Sequence, residues 1–305
     1  MTSETDQGLI APETPAPAAL PRIRLFYWSV RRELWEHRVI YVAPLAVAAI
    51  ALVGYLLGSG RLPHAVEAAG ALQTANRAGA SIAIPYHFVA FAVFFAGLLA
   101  AVFYCQGALH GERRDRSILF WKSLPVSDLT TVLSKMAVPM LITPVVVFAV
   151  VVAAHLVMLT IAVVVVAVSG RDLNILWLHL PLAHTWGGIL LQGLPILTLW
   201  YAPLYAWLIL VSAWAKRAPF LWAVAAPLAL ALVEKLALGT DGVWWWLRLR
   251  MIGPFEAAYA EGRPSIRMVG GNPVDFDHPH IWIGLVLAAA FLACAVWLRR
   301  SSEPI

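Results

Sequence analysis

Few side chains inside the long apolar stretches of this sequence could do chemistry. His155 carries an imidazole within one such run, and Gln192 carries an amide within another. An ionisable residue at this depth is a candidate for proton transfer or substrate binding, because membranes disfavour such groups unless they have a role. The competing interpretation of both residues is a hydrogen bond between neighbouring helices, which is the commoner arrangement for a neutral histidine.

Glu234 and Lys235 stand side by side near the end of the apolar run that begins at Ala218. Their position is consistent with a gate or with part of a substrate exit. The alternative is that both side chains extend towards the interface or pair with residues of the loop that follows. We therefore treat His155, Gln192, Glu234 and Lys235 together as candidate pathway or gate residues.

Nine histidines raise the possibility of a haem or copper site. His179 and His184 flank the start of one apolar run, and His278 and His280 flank the start of another. A metal site needs several converging ligands with supporting partners, which sequence spacing alone does not establish. A membrane-embedded haem- or copper-handling protein is thus the alternative function.

The motifs of the common catalytic classes do not occur. Cys105 and Cys294 are isolated in apolar runs and show no metal or disulfide spacing. The sequence has no G-x-S-x-G nucleophile elbow and no G-x-x-x-x-G-K-[ST] phosphate-binding loop. We therefore expect no enzymatic activity, no ATP chemistry and no bound cofactor in this chain.

The composition places these residues in a membrane. Hydrophobic residues make up 61% of the 305 residues and charged residues 13%, whereas a soluble domain carries about 25% charged residues. The net charge of +5 does not indicate nucleic-acid binding, because the cations flank apolar segments.

Six apolar runs are long enough to cross a bilayer, which requires about 20 residues. They predict an all-α polytopic membrane protein with spans at about 39–57, 86–109, 136–168, 186–215, 218–238 and 281–298. Pro85 is suited to the start of the second helix, and the long third run is expected to be irregular near Pro139 or Pro144. The fifth run is the weakest of the six, because Glu234 and Lys235 interrupt it.

The distribution of positive charge predicts that both termini are cytoplasmic. With that orientation the inner segments hold fourteen Lys or Arg residues and the outer loops seven, as the positive-inside rule requires. The predicted cytoplasmic parts are a disordered tail at 1–21, a coupling loop at 110–135 and a tail at 299–305. The predicted outer loops are 58–85, 169–185 and 239–280.

Residues 22–38 predict an amphipathic helix ahead of the first span. Ile23, Phe26, Tyr27, Val30 and Leu34 share one face. A basic helix of this type lies in the plane of the membrane interface. This placement would apply to a transporter and to a simple membrane anchor alike.

The loop after the second span combines charges with exposed aromatic residues. Five charged residues run from Glu112 to Arg116, and a short apolar segment with Phe120 and Trp121 follows, which Pro125 should end. Ser127 or Asp128 can then cap the next helix. Aromatic anchors with a charged rim are typical of a docking surface for a partner protein.

The loop and the overall layout resemble the permease subunits of ABC-2-type transporters. That family's loop has Glu, then Gly followed by Ser or Thr, an apolar run, and Pro followed closely by Ser. The sequence matches at Glu112, Ser117, Ile118, Leu119, Leu124, Pro125 and Ser127, and it departs at Arg116, where glycine is usual.

The resemblance implies a mechanism and a set of partners. Two permeases, identical or related, would surround a translocation pathway in the lipid bilayer, and the loop would dock on a cytoplasmic ATPase subunit that binds ATP and magnesium. The chain would be an exporter component in a bacterial cytoplasmic membrane, although an assembly factor could keep the same layout. The implied coupling residues are Glu112, Arg113, Arg114, Phe120, Trp121 and Pro125.

Overall fold

A computed structural model of the chain describes residues 22–71, 75–115, 126–256 and 279–301. Every regular element within these ranges is helical. Six helical segments are long and apolar enough to cross a membrane: Val39–Gly70, Gly79–Arg114, Asp128–Val168, Leu173–Trp214, Pro219–Leu238 and His280–Ser301. The chain is therefore a helical, multi-pass membrane protein, as the sequence predicts. The predicted tail at 1–21 lies outside the described residues.

Four helices lead from residue 22 through most of the second span, and the first of them precedes the first span. They are α1 (Arg22–Glu36), α2 (Val39–Gly58), α3 (Leu62–Gly70) and α4 (Ala75–Gly107). The prediction that Pro85 starts the second span was wrong, because α4 begins at Ala75 and contains Pro85. Proline removes one backbone hydrogen bond, which a long membrane helix tolerates. Much of the predicted outer loop 58–85 is consequently helical.

The third span is irregular where its prolines indicate. After the short helix α5 (His110–Arg114), α6 runs over Asp128–Ala137 and α7 over Thr143–Val168. A π-helical turn at Val138–Ile142 joins α6 to α7 and contains Pro139. Ser127 caps α6, since its Oγ accepts the Thr130 amide at 3.1 Å.

The fourth span starts earlier than predicted. Helices α8 (Leu173–His179) and α9 (Leu182–Gly188) occupy most of the expected outer loop 169–185. Two π-helical turns, Ile189–Gly193 and Ile196–Trp200, lead into α10 (Ala202–Trp214). Pro195 and Pro203 have no amide proton to donate to the backbone hydrogen bonds of a regular helix, which accounts for these irregular turns.

Three further helices complete the chain. They are α11 (Pro219–Leu238), α12 (Gly242–Glu256) and α13 (Pro279–Ser301). Left-handed residues bound α11, with Ala218 at φ +47° and Gly239 at φ +68°. The predicted outer loop 239–280 therefore contains a helix that includes Trp244, Trp245 and Trp246.

Helix α4 lies at the centre of the packing. It contacts α2, α3, α7 and α10, and α10 in turn packs along α13. A Cβ atom at Gly97 would lie 2.3 Å from Cγ2 of Val147, so the absence of a side chain there permits the close approach of α4 and α7.

A buried arginine holds α12 against the bundle. Arg250 is 4% exposed, and it donates to the Trp200 carbonyl at 2.8 Å and to the His280 carbonyl. Its guanidinium lies 4.8 Å from the ring centre of Trp200 and 5.4 Å from that of Trp246, which are cation–π distances. Burial lowers the pKa of Arg250 to about 10, so the side chain stays charged at neutral pH.

Gly284 provides the space for this guanidinium. A Cβ atom at Gly284 would lie 2.1 Å from a terminal nitrogen of Arg250. We predict that Gly284→Ala displaces Arg250 and lowers the free energy of unfolding by roughly 1–3 kcal/mol. Thermal unfolding of the purified protein, followed by tryptophan fluorescence, measures the loss.

Gly54→Ala is the matched control, because a Cβ atom there meets nothing within 4 Å. It should keep or raise the melting temperature, since alanine favours a helix over glycine. Equal melting temperatures for the two variants would contradict the role given to Gly284.

Candidate functional site

A lysine shared by two carboxylates lies at the centre of a buried ion network. The Lys135 ammonium on α6 lies 2.9 Å from Oε1 of Glu33 on α1 and 3.1 Å from Oε1 of Glu112 on α5. Glu33 is fully buried and Lys135 is 1% exposed. One cation therefore joins α1, α5 and α6.

Arg299 extends the network to the end of α13. Its guanidinium lies 2.5 Å from Oε2 of Glu112 and 3.0 Å from Oδ1 of Asp128. Arg32 adds a further cation, 2.8 Å from Glu33 and 3.4 Å from Glu112. We call Arg32, Glu33, Glu112, Asp128, Lys135 and Arg299 the basal network, and the end of the bundle that holds it the network side.

The six residues of the basal network include as many carboxylates as cations, and Glu36 lies beside them, 3.4 Å from Arg32. The three carboxylates, Glu33, Glu112 and Asp128, face three cations, Arg32, Lys135 and Arg299. Buried charges are tolerated when each is paired and hydrogen-bonded, and removal of one partner leaves a costly unpaired charge. The arrangement thus depends on all of its members together.

Glu33 is the most strongly held carboxylate of this network. Besides its two cations, it accepts the Tyr104 hydroxyl at 2.9 Å. Burial by itself raises the pKa of Glu33, but the charges of Lys135 and Arg32 and the hydrogen bonds outweigh it and lower the pKa to about 2. The carboxylate is therefore ionised throughout the physiological pH range.

Short hydrogen bonds also tie α5 to the end of the fourth span. Ser212 Oγ on α10 accepts the amides of Leu109 at 2.9 Å and His110 at 2.8 Å. The Arg113 guanidinium donates to the Ala213 carbonyl at 2.6 Å, and His110 Nδ1 donates to the Ala215 carbonyl at 3.1 Å. As a result α5 is fixed by spans three, four and six.

One group of potential metal ligands overlaps this network. Glu33, Glu36 and His37 could each offer a ligand atom, with the atoms within 4.8 Å of one another. Glu33, however, already binds Lys135 and Arg32. A cation at this position would compete with two resident positive charges, so we assign no metal to it.

The predicted coupling residues differ in their surroundings. Glu112 and Arg113 are buried, at 9% and 7% exposure. Arg114 is exposed, with its guanidinium 3.1 Å from Asp115. Phe120, Trp121 and Pro125 lie outside the described residues. Glu112 and Arg113 thus contact the helix bundle itself, and their role in coupling stays a prediction.

His155 is held at both ring nitrogens. Trp186 donates its indole N–H to Nδ1 at 3.1 Å, so Nε2 carries the proton and donates to the Tyr86 carbonyl at 2.9 Å. These contacts join spans two, three and four, and they match the interhelical hydrogen bond considered from the sequence. Neither nitrogen is available to a ligand in this arrangement.

The other candidate gate residues lie near the opposite end of the bundle or within a π turn. Glu234 caps α12, accepting the amides of Gly242 at 2.9 Å and Val243 at 2.7 Å. Lys235 pairs with Asp241 at 3.1 Å. Gln192 is half-buried in the π turn Ile189–Gly193. A gate role for these residues stays a prediction.

The described histidines considered for haem or copper do not converge: His179 and His280 have separate contacts, and His184 is exposed. His179 Nδ1 hydrogen-bonds the Ile175 carbonyl at 2.9 Å, and the His280 ring lies 5.4 Å from that of Trp245. His278 lies outside the described residues. Within the described ranges, the only group of three potential ligands is the one around Glu33.

Glu33, Lys135 and Arg299 were not among the residues singled out from the sequence. Glu33 lies seven residues after Phe26 and three after Val30, which places a carboxylate beside the apolar face of α1. A carboxylate beside an apolar face predicts a cation that is buried with it and pairs with it. Neither periodicity nor spacing identifies Lys135 as that cation, because the two residues are 102 positions apart.

The fold and this site define a multi-pass helical membrane protein in which buried ion pairs join the helices at the network side. Comparisons with models of protein families, with curated proteins and with solved structures found no match to the chain.

Removal of the shared cation should destabilise the protein. We predict that Lys135→Met lowers the free energy of unfolding by roughly 3–5 kcal/mol, because Glu33 and Glu112 lose their common partner in a buried setting. The exposed Lys216 provides the control, and Lys216→Met should change stability by less than about 0.5 kcal/mol. Similar unfolding curves in detergent for both variants would refute the assignment.

The stability contributed by Glu33 should depend on acid pH. Its pKa is lowered from 4.5 to about 2, so the folded state binds this proton less tightly than the unfolded chain does. The contribution is therefore complete above pH 4.5 and is lost as the pH falls towards 2. We expect the difference in melting temperature between wild type and Glu33→Gln to be constant from pH 7 to 5 and to shrink below pH 4.5; a difference that grows at acid pH would contradict this.

Proposed function

We propose that this chain is the permease subunit of an ABC-2-like transporter. It would form the translocation pathway together with an identical or related permease and would be driven by separate cytoplasmic ATPase subunits that bind ATP and magnesium. The proposed direction is export across a bacterial cytoplasmic membrane. The chain itself would have no catalytic activity.

The basal network is the observation that carries the proposal. The charged loop that resembles the family's coupling loop starts at α5, and α5 is bound to α1, α6 and α13 through Glu112 and to α10 through Arg113. A displacement of this loop by a partner would act on four helices together. Such a connection is what a subunit needs if ATP-driven movement outside the membrane is to reach the spans.

The proposed orientation places the network side in the cytoplasm. Of the loop and tail cations, fourteen belong to segments on that side and seven to segments on the other, which favours this orientation under the positive-inside rule. The ATPase partner is cytoplasmic, so the coupling loop and the partner would meet on the same side.

In this orientation α1 would lie in the inner membrane interface. Its Ile23, Trp28 and Trp35 side chains are exposed, and the Arg31 guanidinium lies 5.0 Å from the Trp28 ring centre and 5.3 Å from a ring centre of Trp35. Tryptophan and arginine side by side suit the headgroup region. Glu33 would then fasten this interfacial helix to the bundle.

A pull-down from native membranes tests the proposal. The tagged chain, extracted in mild detergent, should retain a cytoplasmic protein that contains the phosphate-binding loop G-x-x-x-x-G-K-[ST], identified by mass spectrometry. Trp121→Asp should abolish this retention, because a charge at an aromatic anchor prevents docking.

Trp177→Asp is the matched control, since Trp177 is an exposed tryptophan in α8, outside the proposed coupling loop. It should retain the ATPase at the wild-type level. Recovery of the chain without any ATPase, or unchanged recovery with Trp121→Asp, would overturn the proposal. Stoichiometric haem or copper in the purified protein would favour the alternative function.

A further inference from the structure

One exposed face of α1 carries two arginines and two tryptophans in alternation. The four residues follow one another at intervals of four, three and four positions, which places them in one row along the helix. Both arginines are exposed, and the two tryptophans are 56% and 70% exposed. We call this row the aromatic–arginine face, and its members are Arg24, Trp28, Arg31 and Trp35.

The aromatic–arginine face points away from the basal network. Glu33 follows Arg31 by two residues, which corresponds to about 200° around a helix. The Glu33 carboxylate is fully buried and binds Lys135 and Tyr104. Helix α1 is thus bound to the bundle on one side and exposed on the opposite side, so a ligand can contact the exposed side without displacing the ion pairs of Glu33.

The two tryptophans hold the Arg31 guanidinium from the turns before and after it. Its central carbon lies 5.0 Å from the Trp28 ring centre and 5.3 Å from a ring centre of Trp35, which are cation–π distances. These contacts use the charge of the guanidinium, and its N–H groups have no acceptor among the described residues. A planar guanidinium with free N–H donors matches the bidentate geometry of a phosphate.

The positive charge of this face has no carboxylate partner within the described ranges. Neither Arg24 nor Arg31 lies within ion-pair distance of a carboxylate there. Glu36, the exposed carboxylate of α1, lies 3.4 Å from Arg32 instead. The face therefore presents positive charge beside aromatic rings and is complementary to an anionic ligand.

The position of α1 indicates that this anionic ligand is a membrane lipid. Two residues, His37 and Arg38, separate α1 from α2, the helix that begins the first span at Val39. The face is therefore tied to the edge of the bilayer. Beside it, Ile23 and Tyr27 are 83% and 58% exposed, and exposed apolar groups of an interfacial helix insert between headgroups.

We propose that the aromatic–arginine face binds an anionic phospholipid of the adjoining leaflet, with the lipid phosphate hydrogen-bonded to Arg31. Trp28 and Trp35 lie among the headgroups, which is the zone that tryptophan prefers. The bound lipid holds α1 at the membrane surface and thereby supports the helix that carries Glu33. The proposal does not depend on ATP-driven transport, because it rests on the exposed side of α1 and its position beside the first span.

Native mass spectrometry of the full chain tests the lipid preference. The chain is extracted from nanodiscs that contain equal amounts of phosphatidylglycerol and phosphatidylcholine, and the bound lipids are counted. The wild type should retain phosphatidylglycerol in preference to phosphatidylcholine. Arg31→Gln should reduce this preference about fivefold, which is the effect expected for one basic side chain near an anionic membrane surface.

Arg217→Gln is the matched control. Arg217 is an exposed arginine that follows α10 on the network side, and it makes no cation–π contact among the described residues. This variant should keep the wild-type preference. Equal reductions in both variants would show that any surface cation attracts these lipids, and this result, or an unchanged preference in Arg31→Gln, would overturn the proposal.

Removal of one tryptophan tests whether the rings position the guanidinium. Trp28→Leu keeps the charge of Arg31 but removes one ring, so the preference should fall about two- to fivefold, as expected for one exposed cation–π contact. Trp214→Leu removes a tryptophan that is 50% exposed in α10, and it should leave the preference unchanged. An unchanged preference in Trp28→Leu would contradict the proposed arrangement.

Thermal unfolding tests whether the lipid supports α1. The wild type should melt at a higher temperature in phosphatidylglycerol nanodiscs than in phosphatidylcholine nanodiscs, because a ligand that binds the folded state stabilises it. Arg31→Gln should lose most of this difference, and Arg217→Gln should keep it. An undiminished difference in Arg31→Gln would refute the support of α1 by lipid.

The pull-down from native membranes distinguishes a lipid from a protein partner at this face. Arg31→Gln should retain the same proteins as the wild type. Loss of a protein from Arg31→Gln, with an unchanged lipid preference, would show that the face docks another chain and would overturn the proposal. Failure of the wild type to retain an ATPase would count against the proposed function alone, because the lipid measurements do not involve that partner.

Discussion

The network side of this protein depends on the neutralisation of one buried ammonium group. Lys135 lies within the bundle, where an unpaired charge would cost several kcal/mol. Its two carboxylates come from Glu33 on α1 and Glu112 on α5. Because Glu112 also needs Arg299, the pairing brings the end of α13 to the same place. The positions of four helix ends thus follow from one electrostatic requirement.

The opposite end of the bundle is held by different chemistry. Arg250 is buried there against the carbonyls of Trp200 and His280 and the rings of Trp200 and Trp246. Carbonyl dipoles and aromatic faces hold α12 in place, and Glu234 caps the N-terminal end of that helix. Among the described contacts, carbonyl groups and aromatic rings surround Arg250, whereas ion pairs dominate the network side.

This difference fits a subunit that is moved from the network side. Glu112 has three cations within 3.4 Å, so a displacement of α5 would act on all three of these ion pairs. The hydrogen bonds of His155 with Trp186 and Tyr86 connect spans two, three and four. A displacement of α5 would thus be transmitted to a connected set of helices, in keeping with the proposed coupling.

Much of the helical framework could be predicted from the sequence. Apolar runs near 20 residues locate all six candidate spans, and Pro139 marks the π turn of the third. The starts of spans two and four were misplaced, because α4 continues through Pro85 and because α8 and α9 are each only 7 residues long and are separated by Pro181.

The candidate site was predictable only in part, for a physical reason. Glu112 stands out because charge precedes an aromatic segment, which is a local feature. Lys135 and Arg299 do not stand out, because lysine and arginine at the ends of spans are usually explained by the membrane interface. Their burial results from contacts between residues more than 100 positions apart, which no local pattern encodes.

A double-mutant cycle on Glu33 and Lys135 is the most direct test of the central claim that the buried network organises the bundle. The free energies of unfolding of Glu33→Gln, Lys135→Met and the double variant would be compared with wild type. The account predicts that the double variant is more stable than the sum of the single losses implies, with a coupling energy of about 1–3 kcal/mol. Additive losses would mean that the two side chains act independently and would contradict the account.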